Sequence, residues 1–399
     1  MHSSISGTIS DSLQGKTIVV GVTGSIAAVR VVDLIRHMIR QGAEVHAVMT
    51  KAACKIIHPQ ALEYATENRV VTEITGRVEH VEFCGVGGRA DLFLIAPTTA
   101  NTLGKVALGI DDTPVTTYAT TALGSGVPVM VVPAMHEAMY RHWAVVKNLE
   151  TLRSMNVAVI DPRIEEEKAK IADPTTIVTE VERLLGPGDL ARRKVLITSG
   201  ATAERVDPIR ILTNRASGKT GIEIGLEAYR RGAEVTIIQR EKLGLSFREV
   251  RAESAEDMLD AVIAELETGY DALIGAAAVG DYTLDPSAEK IKSGGDLTLQ
   301  FKRTPKIIKT ARSLYPDLRI VGFKAETFVS DEELLGRAKR SMEENRLDLV
   351  VANDVGEEGM GTEENRVIIL GRKGIVAKAT GKKRVIAKEV IDALVGVLG

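Results

Sequence analysis

Continuous apolar runs, rich in β-branched residues, alternate along the chain with segments whose apolar residues recur at helical spacing. Uninterrupted runs of this kind are typical of parallel strands that helices cover on both faces. The candidate strands are 17-TIVVGV, 44-EVHAVM, 91-DLFLIA, 127-VPVMVVP, 194-KVLITS, 234-EVTII, 272-ALIGAAA, 319-RIVGF and 348-DLVVAN. The pattern predicts an α/β fold with two doubly wound, Rossmann-like domains whose sheets are mainly parallel.

The two halves open on the same plan of strand, glycine turn and helix. In the first half 40-RQGAEV leads from the helix into the next strand, and in the second half 230-RRGAEV does the same. The second half is longer over this stretch, and its additional residues fit the segment 201-ATAERVDPIRILTN. That segment follows a strand, where open α/β sheets bind ligands, so we predict a ligand-binding loop rather than a passive insertion.

The boundary between the halves is predicted at 186-GPGDLARR, because Gly-Pro-Gly ends any helix. The predicted domains are residues 1–188 and 189–399. A chain of 399 residues exceeds what one hydrophobic core usually serves, which agrees with two domains.

Charge and composition narrow the functional classes. The net charge of −3 and the aromatic content of 4% argue against a nucleic-acid-binding surface. The two cysteines, Cys54 and Cys84, are too few for a disulfide framework, and no apolar run approaches the length of a membrane span. These features favour a cytoplasmic enzyme that acts on small molecules.

Three turns of the first half carry candidate binding groups. In 21-GVTGSIAA, Gly24 and Ser25 lie where a strand meets a helix, so backbone N–H groups and a hydroxyl would form an anion site, although many α/β proteins have such a turn with nothing bound. The segment 96-APTTANT offers neutral hydrogen-bonding groups that suit a phosphate or a flavin ring, although Thr and Asn serve equally well as N-caps. The Met-rich turn 132-VPAMHEAMY suits a flat aromatic cofactor, although core packing would explain its methionines as well.

The histidines all lie in the first half, so a base that titrates near neutral pH is expected there. They are His2, His37, His46, His58, His80, His136 and His142. His80 shortly precedes a predicted strand and is expected near the candidate site, whereas His37 falls within a helix pattern and is interpreted as structural. His136 and His142 are not spaced for one helical face, so zinc binding is not expected.

These segments resemble the flavin-binding family of cysteine decarboxylases, above all the phosphopantothenoylcysteine decarboxylases. The resemblance covers about residues 15–150 and rests on 21-GVTGSIAA, 49-MTKAA, 80-HVE, 97-PTTANT, 104-GKVALGIDD and 133-PAMHEAMY. It implies flavin mononucleotide (FMN) as the cofactor and His80 as the catalytic base. The implied FMN contacts are Gly24, Ser25, Thr50, Thr98, Asn101 and Met135. The implied reaction oxidises a thiol to a thioaldehyde, which eases loss of the neighbouring carboxylate before the electrons return.

Two positions depart from that family's pattern. The family's Asn after Pro-Ala-Met, which contacts the substrate carboxylate, is here His136. The segment 161-DPRIEEEKAKIAD stands where the family has a glycine-rich flap with an active-site Cys, and it contains neither residue. Lys168 and Lys170 are the local candidates to protonate the enethiolate in its place, and loss of activity is the alternative.

The second half places polar segments directly after its strands. They are 213-TNRASGKTG, 276-AAAVGDY, 289-EKIKSGG, 321-VGFKAET and 352-ANDVG. The string 217-SGKT is not a P-loop, because the first Gly of that pattern is here a Thr. Lys290, Lys292, Asp281 and Asp354 would supply the charge and the Mg²⁺ ligands that a nucleoside triphosphate needs. This half has no His and no Cys, which suits a ligase that works by positioning and electrostatics.

These segments, with 194-KVLITSGATAERVDPIR, resemble the phosphopantothenate–cysteine ligases over about residues 192–395. The resemblance implies that Asn214 holds an acyl-nucleotide intermediate and that Lys290 stabilises its charge. The other implied substrate or nucleotide contacts are Ala277, Ala278, Asp281, Lys292, Phe323, Lys339 and Asn353. An ordinary surface pair of Asp281 with Lys290 is the alternative. The family's second Lys after Lys-Ile-Lys is here Ser293.

Together the two resemblances imply a bifunctional enzyme of coenzyme A biosynthesis. The second half would join L-cysteine to 4′-phosphopantothenate through an acyl-nucleotide, a cytidylate if CTP rather than ATP is used, with Mg²⁺. The first half would decarboxylate the product to 4′-phosphopantetheine. A homo-oligomer with trimeric flavin domains and dimeric ligase domains is expected by resemblance. For the first half, another flavin decarboxylase, a flavin prenyltransferase or a non-catalytic flavin-binding regulatory module are the alternatives.

Overall fold

The structure, a computed structural model, describes residues 5–165, 168–292, 294, 296–356 and 364–399. The chain divides into two compact units, residues 1–186 and 187–399, so the division falls in the Gly-Pro-Gly segment next to the predicted boundary. No helix in the described part of the chain is long and apolar enough to cross a membrane.

A parallel sheet in the order β2-β1-β3-β4-β6 forms the centre of the first unit, and a small antiparallel sheet has the order β5-β8-β7. The strands are β1 (Thr17–Val22), β2 (Glu44–Met49), β3 (Leu92–Thr98), β4 (Val129–Pro133), β5 (Met135–His136), β6 (Ala158–Val159), β7 (Arg163–Glu165) and β8 (Lys168–Lys170). The helices are α1 (Val31–Arg40), α2 (Pro59–Thr66), α3 (Glu79–Cys84), α4 (Ala100–Leu108), α5 (Pro114–Ser125), α6 (Glu137–Tyr140), α7 (Trp143–Ser154) and α8 (Pro174–Leu185), with 3₁₀ turns at Ile26–Arg30 and Ala53–Lys55.

Helices cover both faces of this parallel sheet, which explains the continuous apolar runs. On β1, Ile18 and Val20 belong to the core that α1, α2 and α8 complete. Val19, between them, belongs to the opposite core, with α3, α4, α5 and α7. Because successive side chains of a strand point to opposite faces, both sets are buried and neither face remains for polar residues.

The second unit has a larger sheet in the order β13-β12-β9-β14-β17-β18-β19-β20, parallel from β13 to β18 and antiparallel beyond. Its strands are β9 (Lys194–Thr198), β10 (Ala203–Arg205), β11 (Ile211–Thr213), β12 (Glu234–Gln239), β13 (Arg248–Arg251), β14 (Ala272–Gly275), β15 (Tyr282–Thr283), β16 (Lys302–Arg303), β17 (Arg319–Glu326), β18 (Leu349–Asp354), β19 (Glu364–Gly371) and β20 (Gly374–Lys382). Its helices are α9 (Lys219–Arg230), α10 (Ala255–Leu266), α11 (Ile307–Leu314), α12 (Asp331–Asn345) and α13 (Lys383–Leu398).

Every apolar run predicted as a strand is a strand, and the predicted pair of doubly wound sheets is confirmed. Two features were not predicted. The segment 201–214, predicted as a ligand-binding loop, contains an antiparallel hairpin formed by β10 and β11. The hairpin β19–β20, which extends the sheet, was not predicted.

The repeat between the halves is also present in the structure. Gly42 and Gly232 both adopt a φ of +97°, a left-handed conformation that favours glycine, at the end of the first helix of their unit. Asp91 and Asp271 each accept, at 2.8 Å, the N–H of the residue that begins the first strand of their own sheet. The repeat thus extends from the sequence plan to individual hydrogen bonds.

Candidate functional sites

In the first sheet the strand order reverses between β1 and β3, and the crevice formed at such a reversal is where open α/β sheets bind ligands. A cleft of about 610 Å³ lies there, which is within the usual range of small-molecule sites. It is lined by residues 24–27, 29–30, 99–100, 134–136, 139 and 168–171. Of the predicted residues, Gly24, Ser25, Met135 and His136 are therefore brought together.

Close packing explains the glycine in the turn after β1. A Cβ on Gly24 would lie only 2.6 Å from the Cβ of Ala52, in the turn after the neighbouring strand β2. Ser25 caps the following 3₁₀ turn, where its Oγ accepts the N–H of Ala27 at 3.4 Å. Thr50 is buried, and its Oγ1 accepts the N–H of the residue three positions later. Thr50 thus stabilises the turn that stands against Gly24.

The threonines after β3 have separate structural tasks. The hydroxyl of Thr98 donates to the carbonyl of Ile95 at 2.6 Å and accepts the N–H of Val132 at 3.2 Å, which ties β3 to β4. Thr99 caps α4 and also lines the cleft, so the N-cap interpretation is confirmed for this residue. Asn101 is exposed in the first turn of α4. FMN contacts by Thr98 and Asn101 stay predictions.

The segment at the expected flap position forms strands β7 and β8, and β8 pairs with β5. In this register Met135 lies opposite Ala169, and His136 lies opposite Lys168. The pairing brings Lys168 and Lys170 to the cleft, although they follow Met135 by more than thirty residues. Sequence analysis predicted these lysines as local candidates but did not predict the pairing.

His80 is not among the residues that line this cleft. It lies in the first turn of α3, with its ring centroid 6.4 Å from that of Tyr118 on α5. Its Nδ1 is buried and has no hydrogen-bond partner among the residues that the structure describes. The catalytic role of His80 stays a prediction, and its free Nδ1 is a group that still requires a partner.

In the second sheet the reversal falls between β9 and β14. Here the N–H of Ala278 donates to the carbonyl of Gly200 at 2.8 Å, and the Asn214 Nδ2 donates to the carbonyl of Ala278 at 2.9 Å. Helix α9 packs closely above, because a Cβ on Gly221 would lie 2.5 Å from the Ser199 Oγ. Two predicted residues, Asn214 and Ala278, are therefore in direct contact at the expected position.

A cleft of about 540 Å³ lies at the carboxyl ends of β14 and β17, with α11 and α12 as walls. The predicted residues Ala277, Asp281 and Phe323 line it. Its other charged side chains are Lys306, Lys309, Lys324, Glu326, Arg337, Arg340 and Glu344. Cations outnumber carboxylates in this set, which suits a ligand with phosphate groups.

The charged side chains of this cleft pair with one another. Asp281 pairs with Lys306 at 2.5 Å, whereas the alternative from sequence was a surface pair of Asp281 with Lys290. Glu326 bonds Lys324 at 2.9 Å and Arg337 at 2.5 Å. Burial alone raises the pKa of Glu326, but these two cations outweigh it and hold the pKa below its usual range.

Lys339 lines a separate groove with Arg346 and Arg372. Arg337 and Arg340, on the same helix α12, line the cleft that contains Phe323. Arg337 and Arg340 are three residues apart and therefore lie on one face of the helix, and Lys339 lies on a different face. Sequence analysis therefore missed two residues of the cleft, Arg337 and Arg340. Their helical spacing is the signal that could have identified them.

The hairpin β10–β11 holds the segment 289-EKIK through one carboxylate. Asp207 accepts the N–H groups of Ile209 and Arg210, both at 2.8 Å, and that of Ile291 at 3.2 Å. Arg210 in turn donates to the carbonyl of Ile291 at 3.2 Å. Burial alone raises the pKa of Asp207, but these hydrogen bonds and the Arg210 charge outweigh it, so the pKa lies below its usual range.

Besides Asn214, Ala278 and Lys339, three further predicted residues lie outside the lining of the second cleft. Lys290 and Lys292 are exposed, and Asn353 is buried in β18 opposite Ala325. Their roles stay predictions. The departure at Ser293 lies outside the described residues.

The carboxylate of Asp354, a predicted Mg²⁺ ligand, is held by backbone N–H groups of its own loop and of the loop after β17. Its carboxylate accepts the N–H groups of Phe328 at 3.0 Å, Val329 at 2.9 Å and Gly356 at 2.8 Å. Hydrogen bonds from Gly356 and Val329 hold its pKa below the usual range. Within the described ranges, no three His, Cys, Asp or Glu side chains converge as a metal site.

Both units therefore have the architecture of α/β enzymes with a ligand cleft at the strand reversal. Residues 6–186 match the flavoprotein family model, and residues 190–397 match that of the DNA/pantothenate metabolism flavoprotein C-terminal domain. The chain belongs to the family of the coenzyme A biosynthesis bifunctional proteins CoaBC.

The CoaBC protein of Thermococcus kodakarensis is 49% identical over 395 residues, which cover 98% of this chain and 97% of the relative. That of Methanocaldococcus jannaschii is 35% identical, with coverage of 97% and 95%. A crystal structure of the C-terminal domain of a CoaBC protein is 29% identical, covers 53% of this chain and 98% of its own, and gives a TM-score of 0.45. The predicted bifunctional enzyme, with a decarboxylase half and a ligase half, is confirmed because the matches cover both halves.

Proposed function

We propose that the first unit binds FMN in its cleft and decarboxylates 4′-phosphopantothenoylcysteine to 4′-phosphopantetheine. The second unit supplies that substrate by joining L-cysteine to 4′-phosphopantothenate at the expense of CTP. The observation that carries the proposal is the placement of predicted residues from separate turns at the strand reversal of each sheet. Both steps belong to coenzyme A biosynthesis, the process named for the relatives.

The residues of the first cleft fit a flavin nucleotide. Ile26, Met135 and Met139 offer apolar and thioether surface to an aromatic ring, and Ser25 and Arg30 offer polar groups to a phosphate. When bound, FMN supplies the reversible two-electron oxidation of the substrate thiol. The protein's own contribution is to hold the substrate against the ring and to move protons.

His80 would act in this reaction through a second copy of the chain. Ile26 at the cleft is 77% exposed, and Val86, just after the helix of His80, is 93% exposed. Burying these two apolar surfaces against each other would bring the His80 imidazole of one copy to the cleft of the next. A trimer of flavin domains and a dimer of ligase domains form part of this proposal.

In the second unit, the triphosphate would lie among the cations of the 540 Å³ cleft. Asp281 would hold Mg²⁺ together with the phosphates, because this ion commonly takes only one or two protein carboxylates. Asn214 would bind the acyl-nucleotide at the crevice between β9 and β14. Lys290 and Lys292 would reach it from the segment that Asp207 holds.

Two free thiols, Cys54 and Cys84, and a substrate that must keep its thiol reduced suit a reducing compartment. A cytoplasmic location is therefore part of the proposal.

The test uses purified full-length protein, which should be yellow and should release carbon dioxide and pyrophosphate from phosphopantothenate, cysteine and CTP. His80→Asn should abolish carbon dioxide release from supplied phosphopantothenoylcysteine and leave pyrophosphate release unchanged. Asn214→Asp should abolish pyrophosphate release and leave carbon dioxide release from supplied phosphopantothenoylcysteine unchanged. Each variant is therefore the control for the other. Unchanged rates in both variants would remove the residue assignments. ATP in place of CTP tests the choice of nucleotide.

A further inference from the structure

The pairing of β5 with β8 sets two proton-bearing side chains next to each other at the flavin cleft. His136 lies directly opposite Lys168 in an antiparallel register, and both residues line the cleft. Directly opposed residues of antiparallel strands have Cβ atoms about 4.5–5.5 Å apart, so their side chains are neighbours. Both side chains are exposed, and a ligand in the cleft can reach them.

The residues that line this cleft include four ionisable side chains, namely Arg30, His136, Lys168 and Lys170. A guanidinium does not release its proton in proteins, and Arg30 also pairs with Asp173 at 3.4 Å. A lysine ammonium ordinarily releases its proton only near pH 10. Imidazole is the side chain that both gives and takes protons near neutral pH. The task proposed for His80 is to take a proton as the base, which leaves His136 of the cleft lining as the candidate to give one.

We propose that His136 is the acid that protonates the carbon from which carbon dioxide has left, an inference that rests on the proposed decarboxylation. When the carboxylate departs, its bonding electrons remain as an enethiolate, a carbon–carbon double bond next to the sulfur anion. That electron pair takes a proton from the His136 N–H, a new C–H bond forms, and the carbon–sulfur double bond of a thioaldehyde is restored. The neutral imidazole then regains its proton from water. The two electrons that the thiol gave up return to the thioaldehyde together with two protons, and this regenerates the thiol of the product. Electrons and protons are therefore balanced over the whole reaction.

Lys168 has a different task in this scheme. Its ammonium is a fixed positive charge beside the imidazole, where it would attract the substrate carboxylate and afterwards the enethiolate. Lys168 is thus a positioning residue, and the proton comes from His136. With the proton donated by His136 and the negative charge attracted by Lys168, the reaction does not require a cysteine in the flap.

The test compares His136→Asn with His142→Asn in the full-length protein loaded with FMN. His142 is a matched control, because it is exposed, caps α7 through its imidazole and lies outside the cleft lining, and Asn is a good replacement for a cap. In a single turnover on supplied phosphopantothenoylcysteine, His136→Asn should still release carbon dioxide. It should form phosphopantetheine about 10²-fold more slowly or worse, and mass spectrometry should detect an enethiol two hydrogen atoms short of that product. His142→Asn should behave as the unmodified protein.

Two further variants keep the outcome decisive. His136→Cys replaces one proton donor by another and should restore much of the phosphopantetheine formation. Lys168→Met should raise KM for the substrate and leave the ratio of product to carbon dioxide near that of the unmodified protein. If Lys168→Met accumulates the enethiol and His136→Asn does not, the proposal is overturned in favour of the lysine.

A second measurement does not depend on turnover. The flavin is removed from the protein, and the NMR signals of the histidine imidazoles are recorded before and after FMN is added. Addition of FMN should shift the His136 signals and leave those of His142 in place, and equal responses would contradict the placement of His136 at the cofactor. If the unmodified protein releases no carbon dioxide, the proposed function itself has failed. If carbon dioxide release is intact and His136→Asn forms phosphopantetheine normally, only the assignment of the acid has failed.

Discussion

The carboxylate of Asp207 and the backbone N–H of Ile291 lie 3.2 Å apart, although 84 residues separate them in the chain. Ile291 stands between the two lysines that are expected to serve the acyl-nucleotide. The other oxygen of Asp207 accepts two N–H groups of its own turn. A single buried carboxylate therefore links the hairpin β10–β11 to the lysine segment.

Asp207→Asn should lower the rate of ligation by about 10–100-fold, because a misplacement of about 1 Å in a reacting group can cost that much. Both carboxylate oxygens of Asp207 accept backbone N–H groups. The asparagine side chain has only one oxygen, so its NH₂ group would lie against a backbone N–H and could not accept a hydrogen bond from it. Pyrophosphate release measures the effect, and decarboxylation of supplied phosphopantothenoylcysteine should not change. Asp285→Asn, at an exposed carboxylate that pairs with Lys302, is the control and should keep the normal rate.

Gly24→Ala should weaken flavin retention. The added Cβ would stand 2.6 Å from the Cβ of Ala52, so one of the two turns must move, and Gly24 lines the flavin cleft. The ratio of flavin absorbance to protein absorbance after gel filtration reports the loss. Gly124→Ala, in the helix α5 with open space around its Cβ, should retain flavin and gain up to about 1 kcal/mol in stability.

The ion pair of Asp189 and Arg231 should make the free energy of unfolding decrease at low pH. Arg231 donates to Asp189 at 2.9 Å, and this hydrogen bond holds the pKa of Asp189 below its usual value. A carboxyl whose pKa is lowered by folding contributes stability that is complete above about pH 4 and is lost as the pH falls through the folded value.

At pH 7, Asp189→Asn should therefore cost about 1 kcal/mol, a modest value because the Asp189 side chain is 32% exposed. The thermal midpoint of the second unit should fall by about 2–4 °C. The difference from the unmodified protein should shrink below pH 4. A constant difference between pH 7 and pH 3 would contradict this account, and the exposed Asp260→Asn should show little difference at either pH.

The two thiols should differ in reactivity towards iodoacetamide. Burial raises the pKa of Cys84 to about 12, and it also raises that of the half-buried Cys54. Since the thiolate is the reactive form, both should react slowly at pH 8, with Cys54 first and Cys84 only after unfolding. Peptide mass mapping with and without urea distinguishes the sites, and early labelling of Cys84 would show that the α3 region opens.

Parallel strands made most of the fold and of both clefts predictable from sequence. The turns at Gly24, Thr50, Thr98 and Met135 all follow strands of one parallel sheet, so they must meet at one edge wherever the helices lie. The same argument brought Asn214 to Ala278. A resemblance carried by ordered motifs then supplied the chemistry that strand patterns do not contain.

Antiparallel pairings were the part that could not be predicted. The pairing of His136 with Lys168 and that of β10 with β11 depend on which short strands meet, and two or three residues carry too little pattern to specify that. The hairpin β19–β20 had an unused signal in 371-GRKG, a pair of residues between glycines that is typical of a tight turn. His80 was expected near the flavin cleft, but it does not line the cleft of its own chain.

The lining residues of each cleft come from one unit only, and both units belong to a single polypeptide. Every translated chain therefore delivers one ligase site with one decarboxylase site, whatever the level of expression. A cell that regulates this gene changes the capacity of both steps by the same factor. The ratio of the two enzymes is fixed by a peptide bond near Gly186.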